Sequence, residues 1–188
     1  MGRGRLPEHR GVSSSPHRRE IHDRALLDLD DGPVTPSNRA ELGAVARLLN
    51  TVLAGLLVSA LQFEQHALLV RGASLRPVAG FLLGCADRDR GAARRVAVRL
   101  RQLGFPADHD PGHLTARSPV TFRAFPDGDL TAAVTQNLLA ARILVQTLQE
   151  AARWIGATDP STRRLLEDLL QEKEDQADVL SAEKTARP

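Results

Sequence analysis

The sequence predicts an all-α protein, a four-helix bundle in which a long crossover with a short helix separates two helical pairs. Leu and Ala dominate an apolar content of 42%, and there is no Tyr and only one Trp, a mix that favours helix over strand. Apolar residues recur at helical spacing in four long segments. Gly and Pro residues interrupt the pattern between these segments, so each is expected to form a separate helix.

The first pair of helices is predicted over residues 38–69 and 75–103. Asn38 and Glu41 have the spacing of a capping box at the start of the first helix. Ser74 is the expected N-cap of the second helix. Because the link between the two segments is short, they are expected to be antiparallel neighbours.

The second pair follows residues 105–127, which are too rich in Gly and Pro for a long helix, although a short helix is predicted over 113–117. The third long helix is expected from about 129 to 155. Asp159 followed by Pro160 predicts the start of the fourth, because Asp is a favoured N-cap and Pro is tolerated at the first helical position. Two close pairs joined by a long crossover differ from a simple up-and-down bundle.

The two ends of the chain are predicted to lie outside the bundle, which is expected to span residues 38–182. Residues 1–35 are rich in Arg, Ser, Pro and Gly and lack sustained periodicity, which predicts a disordered arm, and residues 183–188 are expected to form a flexible tail. The tip of the arm is basic, with five arginines and one acid in 19 residues. These arginines are Arg3, Arg5, Arg10, Arg18 and Arg19. Such side chains either contact DNA phosphates through charge-assisted hydrogen bonds, without reading bases, or belong to an ordinary disordered terminus that keeps the protein soluble.

Composition and charge restrict the class of protein. Cys85 is the single cysteine, which excludes an intrachain disulfide, and its apolar neighbours predict a buried side chain. The apolar run at 67–70 is broken by His66 and Arg71, far short of the ~20 residues of a membrane span. Acidic residues rather than an apolar signal segment follow Arg18–Arg19. We therefore predict a cytoplasmic protein with no membrane partner, and a net charge of +2 does not by itself indicate nucleic-acid binding.

Several short stretches resemble one known family in a common register over residues 38–182. They are Leu68-Leu69-Val70-Arg71-Gly72, Ala97-Val98-Arg99-Leu100, Leu103-Gly104, Leu114-Thr115-Ala116-Arg117-Ser118, Phe125-Pro126-Asp127-Gly128-Asp129-Leu130 and Asp159-Pro160-Ser161-Thr162. With them the chain resembles the Dps family, the DNA-protection proteins of starved cells, within the ferritin superfamily. The resemblance implies a ferritin-like fold, a homo-oligomeric shell of twelve subunits, and iron bound between subunits related by a twofold axis.

The same register locates the iron ligands of that family, which are two His, two Asp and one Glu. The corresponding positions hold Ala67, Ala79, Leu83, Arg94 and Val98. None of these side chains binds iron, because iron ions need imidazole or carboxylate donors. Arg94 even places a permanent cation at a metal position. We therefore expect the ferroxidase activity to be lost.

A bacterioferritin-like centre does not fit the sequence either. That pattern needs a Glu on the first helix and two Glu-x-x-His motifs that project inward from other helices. Leu56 takes the Glu position, and Lys173 and Gln176 take the motif positions on the fourth helix. No Glu-x-x-His occurs anywhere in the chain.

Histidines are the first candidates for relocated metal ligands, and iron is the cofactor to consider. His66 precedes the family's His position by one residue, which turns its side chain by about 100° on a helix. A polar contact at a helix or subunit boundary is therefore the favoured interpretation. His109 and His113 flank Asp110 with a spacing that can catch a transition metal, although surface His pairs usually bind none.

Acidic residues on the second and fourth helices are the second set of candidates. They are Asp87, Asp89, Glu172, Glu174 and Asp175. In one interpretation they line an acidic interior that binds ferric mineral. The favoured interpretation is that they lie on solvated helix faces with partners such as Arg88 and Arg90.

Three functions remain open at this point. The leading hypothesis is a Dps-like shell protein without an intact ferroxidase centre, which acts as a structural subunit, associates with DNA and the nucleoid through its arm, and assembles alone or with an active paralogue. The first alternative is an iron-storage protein with relocated ligands. The second is a ferritin-like shell that binds an unrelated ligand at the vacated interface, because small side chains there leave room for a pocket.

Overall fold

A computed structural model describes residues 18–27, 29–72, 75–125 and 129–185. The chain divides into two compact units, Met1–Ser37 and Asn38–Pro188. Three of the five arginines of the arm, Arg3, Arg5 and Arg10, lie outside the described residues, and so does the expected N-cap Ser74.

The first unit contains the helix α1 (Arg18–Leu26) and a 3-10 turn (Leu29–Asp31). The expectation of an irregular arm over all of 1–35 is therefore wrong for these residues. Glu20 and Arg24 support α1 one turn apart: the guanidinium lies 3.5 Å from the carboxylate and donates to the Glu20 carbonyl oxygen at 3.3 Å. Because no residue of α1 is buried, the helix lacks the apolar stripe that reveals the other helices in the sequence.

The second unit is a bundle of four long helices with a fifth, short helix in its crossover. These are α2 (Leu42–Leu69), α3 (Arg76–Gln102), α4 (Pro111–Arg117), α5 (Leu130–Ile155) and α6 (Pro160–Thr185). No strand occurs within the described ranges. The predicted all-α bundle with a short crossover helix is confirmed. Residues 183–185, expected in the tail, belong instead to the last turn of α6.

Helix α2 begins four residues later than predicted, and its cap is a different residue. Glu41 is the N-cap, and its carboxylate accepts hydrogen bonds from the amides of Gly43 at 3.1 Å and Ala44 at 2.6 Å. The predicted N-cap Asn38 accepts from the amide of Ala40 at 3.0 Å, in the turn before the helix. Glu41 prevails because its two oxygens satisfy two free amides of the first turn at once.

Aspartates cap the helices that follow α3. Asp110, Asp129 and Asp159 each accept a hydrogen bond from an amide two or three residues later, at 2.8 to 3.0 Å. The cap at Asp159 was predicted. Gly104 after α3 and Gly156 after α5 have φ values of +83° and +53°, a left-handed conformation that favours glycine.

Contacts between helices arrange the bundle as two pairs. Helix α2 packs mainly against α3, and α5 packs mainly against α6, while contacts of α2 with α5 and of α3 with α6 join the pairs. The largest fully buried side chains come from all four long helices. They are Phe63, Leu49, Leu53, Leu56, Leu82, Leu100, Leu144, Leu148, Ile155, Leu166, Leu169 and Leu180.

Helix α2 is more apolar than its interrupted runs suggest. Among the described residues, it is the helix that is long and apolar enough to cross a membrane by length and composition alone, with a mean hydropathy of 1.8 over 18 residues. Of that window, 61% is buried inside the protein. Such burial is typical of the central helix of a packed bundle.

Gly55 allows α2 to lie unusually close to α5 and to the crossover. A Cβ atom at this position would lie 2.8 Å from Cδ2 of Leu144 and 3.1 Å from Cδ of Pro119. A larger residue would therefore force the helix away from the crossover segment.

Candidate functional site

A buried ion pair joins α3 to α6 inside the bundle. Asp89 is 1% exposed and Lys173 is 3% exposed. The ammonium of Lys173 donates to the carboxylate of Asp89 and, at 2.6 Å, to Oε1 of Gln176. It also lies 5.9 Å from the centre of the Phe63 ring, so a face of α2 completes its surroundings. A carboxylate, an amide oxygen and an aromatic ring thus hold one cation in the core.

Two features of the surroundings of Lys173 change its pKa in opposite directions. Burial lowers the pKa of Lys173 below its usual range, while the carboxylate of Asp89 raises it and so limits the shift. Oδ2 of Asp89 and Nε2 of Gln176 have no hydrogen-bond partner within the described part of the chain. The buried charge pair therefore has one acceptor atom and one donor group beside it that make no hydrogen bond with the described residues.

A second polar network joins α2, α5 and the crossover. Nε2 of His66 lies 2.7 Å from the carbonyl oxygen of Arg123, and Nδ1 lies 3.0 Å from Oδ1 of Asn137. Gln62 donates to the same Oδ1 at 3.2 Å and accepts from the amide of Arg123 at 2.9 Å. The imidazole also packs against the ring of Phe125, with centroids 5.4 Å apart. His66 therefore fastens the crossover to the bundle.

The position of His66 agrees with a polar contact and not with a metal ligand. Both ring nitrogens face oxygen atoms of the protein, and the partners include no carboxylate. Burial lowers the pKa of His66, and hydrogen bonds to the Arg123 carbonyl and to Asn137 oppose this effect. The side chain is 1% exposed, which favours the neutral imidazole. Because a neutral ring carries a single N–H, it donates to one of the two oxygens and not to both.

The five positions that the resemblance assigns to Dps iron ligands do not lie in one environment. Ala67 belongs to a core cluster with Leu82, Cys85 and Ala86. Ala79 is half-buried, whereas Leu83 and Val98 are 38% and 44% exposed, and Arg94 is exposed on the same helix. These positions offer an apolar and cationic surface, which does not fit a ferric or ferrous ion.

The acidic candidates are dispersed. Asp89 does not lie on a solvated face with Arg88 or Arg90, as we had favoured, because it is buried against Lys173. Asp87 is exposed and 3.8 Å from Arg90. The three remaining candidates lie on α6 and share no partner among the described residues. Glu172 accepts a hydrogen bond from Arg95 at 2.6 Å, Glu174 accepts one from Gln149 at 3.3 Å, and Asp175 is exposed.

Of the two crossover histidines, His113 contacts an aspartate that was not among the predicted site residues. Nδ1 of His113 lies 3.0 Å from Oδ2 of Asp108, which also accepts from Arg117. The amide of Asp110, the Arg117 guanidinium and the His113 ring hold the pKa of Asp108 down to about 2. His109 instead faces the Ala107 carbonyl oxygen at 3.4 Å. Within the described ranges, no three His, Cys, Asp or Glu residues are grouped so that they could hold a metal ion.

Another buried ion pair was missed because its partners are far apart in sequence. Arg99 donates to both carboxylate oxygens of Asp159, at 2.8 and 2.9 Å, and to the hydroxyl of Thr162 at 2.8 Å. Burial raises the pKa of Asp159, but hydrogen bonds from Thr162 and Arg99 outweigh burial and lower it overall. The N-cap of α6 is thereby fixed to the end of α3.

Cys85 is buried, as predicted. Burial raises the pKa of its thiol, although Gln176 and the nearby guanidinium of Arg88, 3.2 Å from Sγ, act in the opposite direction. A protonated, inaccessible thiol is a poor nucleophile.

Comparison with protein families supports the fold assignment over most of the bundle. The family model described as a ferritin-like domain matches residues 46–186. The chain belongs to the ferritin-like family. The predicted membership in this superfamily is therefore confirmed. No curated protein matches the chain.

Solved structures with the same fold include Dps proteins and a bacterioferritin-related protein. The dodecameric thioferritin of Bacteroides fragilis is 22% identical with a TM-score of 0.75, over 79% of this chain and 88% of that one. DpsC of Streptomyces coelicolor is 25% identical with a TM-score of 0.68, over 74% and 82%. The Dps homologue of Halobacterium salinarum is 23% identical with a TM-score of 0.70, over 76% and 80%.

Proposed function

We propose that this ferritin-like chain is a structural shell subunit without ferroxidase activity of its own. The observation that carries the proposal is the buried ammonium of Lys173, bonded to Asp89 and Gln176. Lys173 and Gln176 occupy the positions of a Glu-x-x-His motif, so a fixed organic cation replaces a carboxylate metal ligand. A second fixed cation, Arg94, stands at a position that corresponds to a Dps iron ligand.

The decisive experiment is aerobic mixing of the purified protein with ferrous iron and hydrogen peroxide, with ferric absorbance followed against a buffer blank. We expect oxidation no faster than in the blank, because neither set of positions supplies the imidazole and carboxylate donors that iron needs. Oxidation that depends on the protein would overturn the proposal. In that case, loss of the activity in His66→Ala or Asp87→Asn would identify the relocated ligands.

The shell itself is the second part of the proposal. The related Bacteroides fragilis protein is dodecameric, and we extend this assembly to the present chain. Twelve chains of 20.4 kDa give a particle of about 245 kDa. Light scattering during size-exclusion chromatography measures this mass, and a monomer or dimer at micromolar concentration would contradict the shell.

Association with DNA is the third part, and it rests on the basic arm. Arg18 and Arg19 are exposed on the first turn of α1. One arm binds phosphates weakly and in a salt-dependent manner, but many arms on one particle add avidity. The test variant changes the five arginines of the arm to Gln, and the matched control changes five exposed arginines of the bundle. These control residues are Arg47, Arg71, Arg142, Arg153 and Arg164.

Gel-shift titrations of both variants over a range of salt concentrations separate the arm from general surface charge. We expect the arm variant to lose binding and the bundle variant to retain it. Equal loss in both variants would mean that net charge, and not the arm, carries the interaction. DNA binding that the arm variant retains would remove the arm from the proposal.

A further inference from the structure

Helices α3 and α6 enclose a surface groove of about 400 Å³ near the end of α3. Its lining combines arginines with polar and aliphatic side chains. The residues used below are Arg94, Arg95, Val98, Gln102, Ser161 and Leu165. The volume lies within the range of about 300–1,000 Å³ that small-molecule sites occupy.

The arginines around the groove differ in how far their charge is compensated. Arg99 is neutralised by both oxygens of Asp159. Arg95 shares an ion pair with Glu172 at 2.6 Å, and both side chains are about two-fifths exposed. Within the described ranges, Arg94 has no hydrogen-bond or ion-pair partner. The groove therefore retains uncompensated positive charge on Arg94 and donor capacity on Arg95.

The remaining residues supply the other requirements of an organic ligand. The hydroxyl of Ser161 and the amide of Gln102 are neutral hydrogen-bonding groups. Val98, which is 44% exposed, and the half-buried Leu165 supply apolar surface beside the arginines. A ligand that fills this groove needs an anionic group for the arginines and an apolar part for Val98 and Leu165.

We infer that this groove binds a small organic phosphate of about mononucleotide size. A phosphate dianion accepts hydrogen bonds from the two guanidinium groups and the Ser161 hydroxyl, and its charge compensates Arg94. A single carboxylate would be matched by one guanidinium and would leave the second unused. The apolar part of the ligand covers Val98 and Leu165.

Two of the groove residues, Arg94 and Val98, hold positions that the resemblance assigns to iron ligands. The replacement of a carboxylate by Arg94 changes the preference of this surface from cations to anions. In the shell proposed above, the resemblance places both positions beside the subunit related by the twofold axis, so the titration uses the assembled protein. The inference goes beyond the shell function, and a particle of the expected mass that binds no ADP would overturn it while leaving the shell intact.

The test is isothermal titration of the intact protein with ADP as the probe, in the wild type and in Arg94→Gln. We expect one ADP per chain in the wild type and a loss of affinity of about tenfold or more in the variant, because a charge-assisted contact is removed. Arg94 has no partner to leave unpaired, so the fold should not change. The control is Arg142→Gln, an exposed arginine of α5 that lines a different groove with Lys184.

Arg142 lines its groove together with Lys184, which lies 23 residues along α6 from Ser161, roughly 35 Å at 1.5 Å per residue. The control therefore removes the same charge far from the groove of Arg94. Arg142→Gln should bind ADP as the wild type does. An equal loss of affinity in both variants, or no saturable ADP binding by the wild type, would overturn the inference.

A second variant, Val98→Glu, keeps every arginine and adds a carboxylate at an exposed position of the groove. It should also weaken ADP binding, by repulsion and by covering the apolar surface. A short DNA duplex and inorganic phosphate serve as separate probes in the same titrations. Inorganic phosphate should bind more weakly than ADP because it lacks the apolar part. DNA binding lost in Arg94→Gln while ADP binding is unchanged would assign the groove to nucleic acid instead and contradict a small-molecule site.

Discussion

The pair of Asp89 and Lys173 links α3 to α6 through two opposite charges, whereas the network of His66, Asn137 and Gln62 links α2, α5 and the crossover through an imidazole and two amides. Both are almost completely buried. The first network places formal charge in the core, and the second places only neutral groups there, as long as His66 is unprotonated.

Because of this difference in chemistry, substitutions in the two networks should change the free energy of unfolding by different amounts. A buried ion pair gains little over an apolar pair, but removal of one partner leaves the other charge unpaired in the core. A neutral hydrogen bond leaves a smaller penalty when it is broken. We therefore expect the junction of α3 and α6 to be intolerant of single changes. We expect the attachment of the crossover to depend on pH, because its network contains His66.

Lys173→Met is expected to have the largest effect of the variants considered. It leaves the Asp89 carboxylate buried without its cation, which destabilises a protein by about 3–5 kcal/mol. The free energy of unfolding, measured by chemical denaturation with an unchanged m value, reports this loss.

The double variant Asp89→Leu/Lys173→Met is the matched control for the charge pair. Because apolar replacement of a whole buried pair is often neutral or stabilising, we expect stability within about 1 kcal/mol of the wild type. A double variant as unstable as the single one would show that packing at these positions, and not the unpaired charge, causes the loss.

His66→Ala comes next in size. It removes the contacts of the ring with Arg123 and Asn137, and we expect a loss of about 1–3 kcal/mol in the free energy of unfolding. The same change should raise the hydrogen-exchange rate of the Arg123 amide, which donates to Gln62 in the wild type. Unchanged exchange at that amide would mean that the crossover is held without the network.

A pH titration distinguishes the network of His66 from the ion pair of Asp89 and Lys173. Since burial lowers the pKa of His66, the unfolded chain, with a pKa near 6.5, takes up a proton more readily than the folded one. The stabilising contribution of neutral His66 is therefore complete above pH about 6.5 and is lost as the pH falls below it.

Denaturation of the wild type and of His66→Ala at pH 7.5 and 5.5 measures this contribution. The wild type should lose more stability over the interval than the variant does. The carboxylates with lowered pKa values, Asp108 and Asp159, ordinarily titrate below this interval and do not obscure the result. Parallel pH profiles would exclude His66 as the titrating group.

The smallest effect is expected for Arg163→Ala. Arg163 and Glu167 form a pair at 2.7 Å on the surface of α6, with both side chains 48% exposed. Exposed pairs one helical turn apart contribute about 0.3–0.5 kcal/mol, less in high salt. A loss above about 1 kcal/mol would show that this pair behaves like the buried one, which would remove the contrast between core and surface charge.

The four long helices and the crossover could be predicted from the spacing of apolar residues, because burial of one helix face imposes that spacing. The same criterion missed α1, which buries nothing, and misplaced the cap of α2. Caps depend on which side chain reaches the free amides, and Asn38 and Glu41 both have suitable chemistry.

That Ala67, Ala79, Leu83, Arg94 and Val98 stand in place of the family's iron ligands is a prediction from the resemblance, and it stays a prediction. The sequence also contains a signal for the buried charge pair. Asp89 lies four residues after Cys85, and Lys173 lies four after Leu169, so each charge interrupts an apolar stripe. A charge on a core-facing stripe predicts a buried partner, although it does not identify that partner.

The helical class and the order of the helices therefore follow from the sequence alone, because they depend on local spacing and residue identity. The contact partners of the polar residues, by contrast, depend on tertiary structure. Asp89 meets Lys173 across 84 positions, and His66 meets Arg123 across 57. Such contacts depend on how the helices pack and cross, and the low polarity of the core then determines how strongly each partner matters.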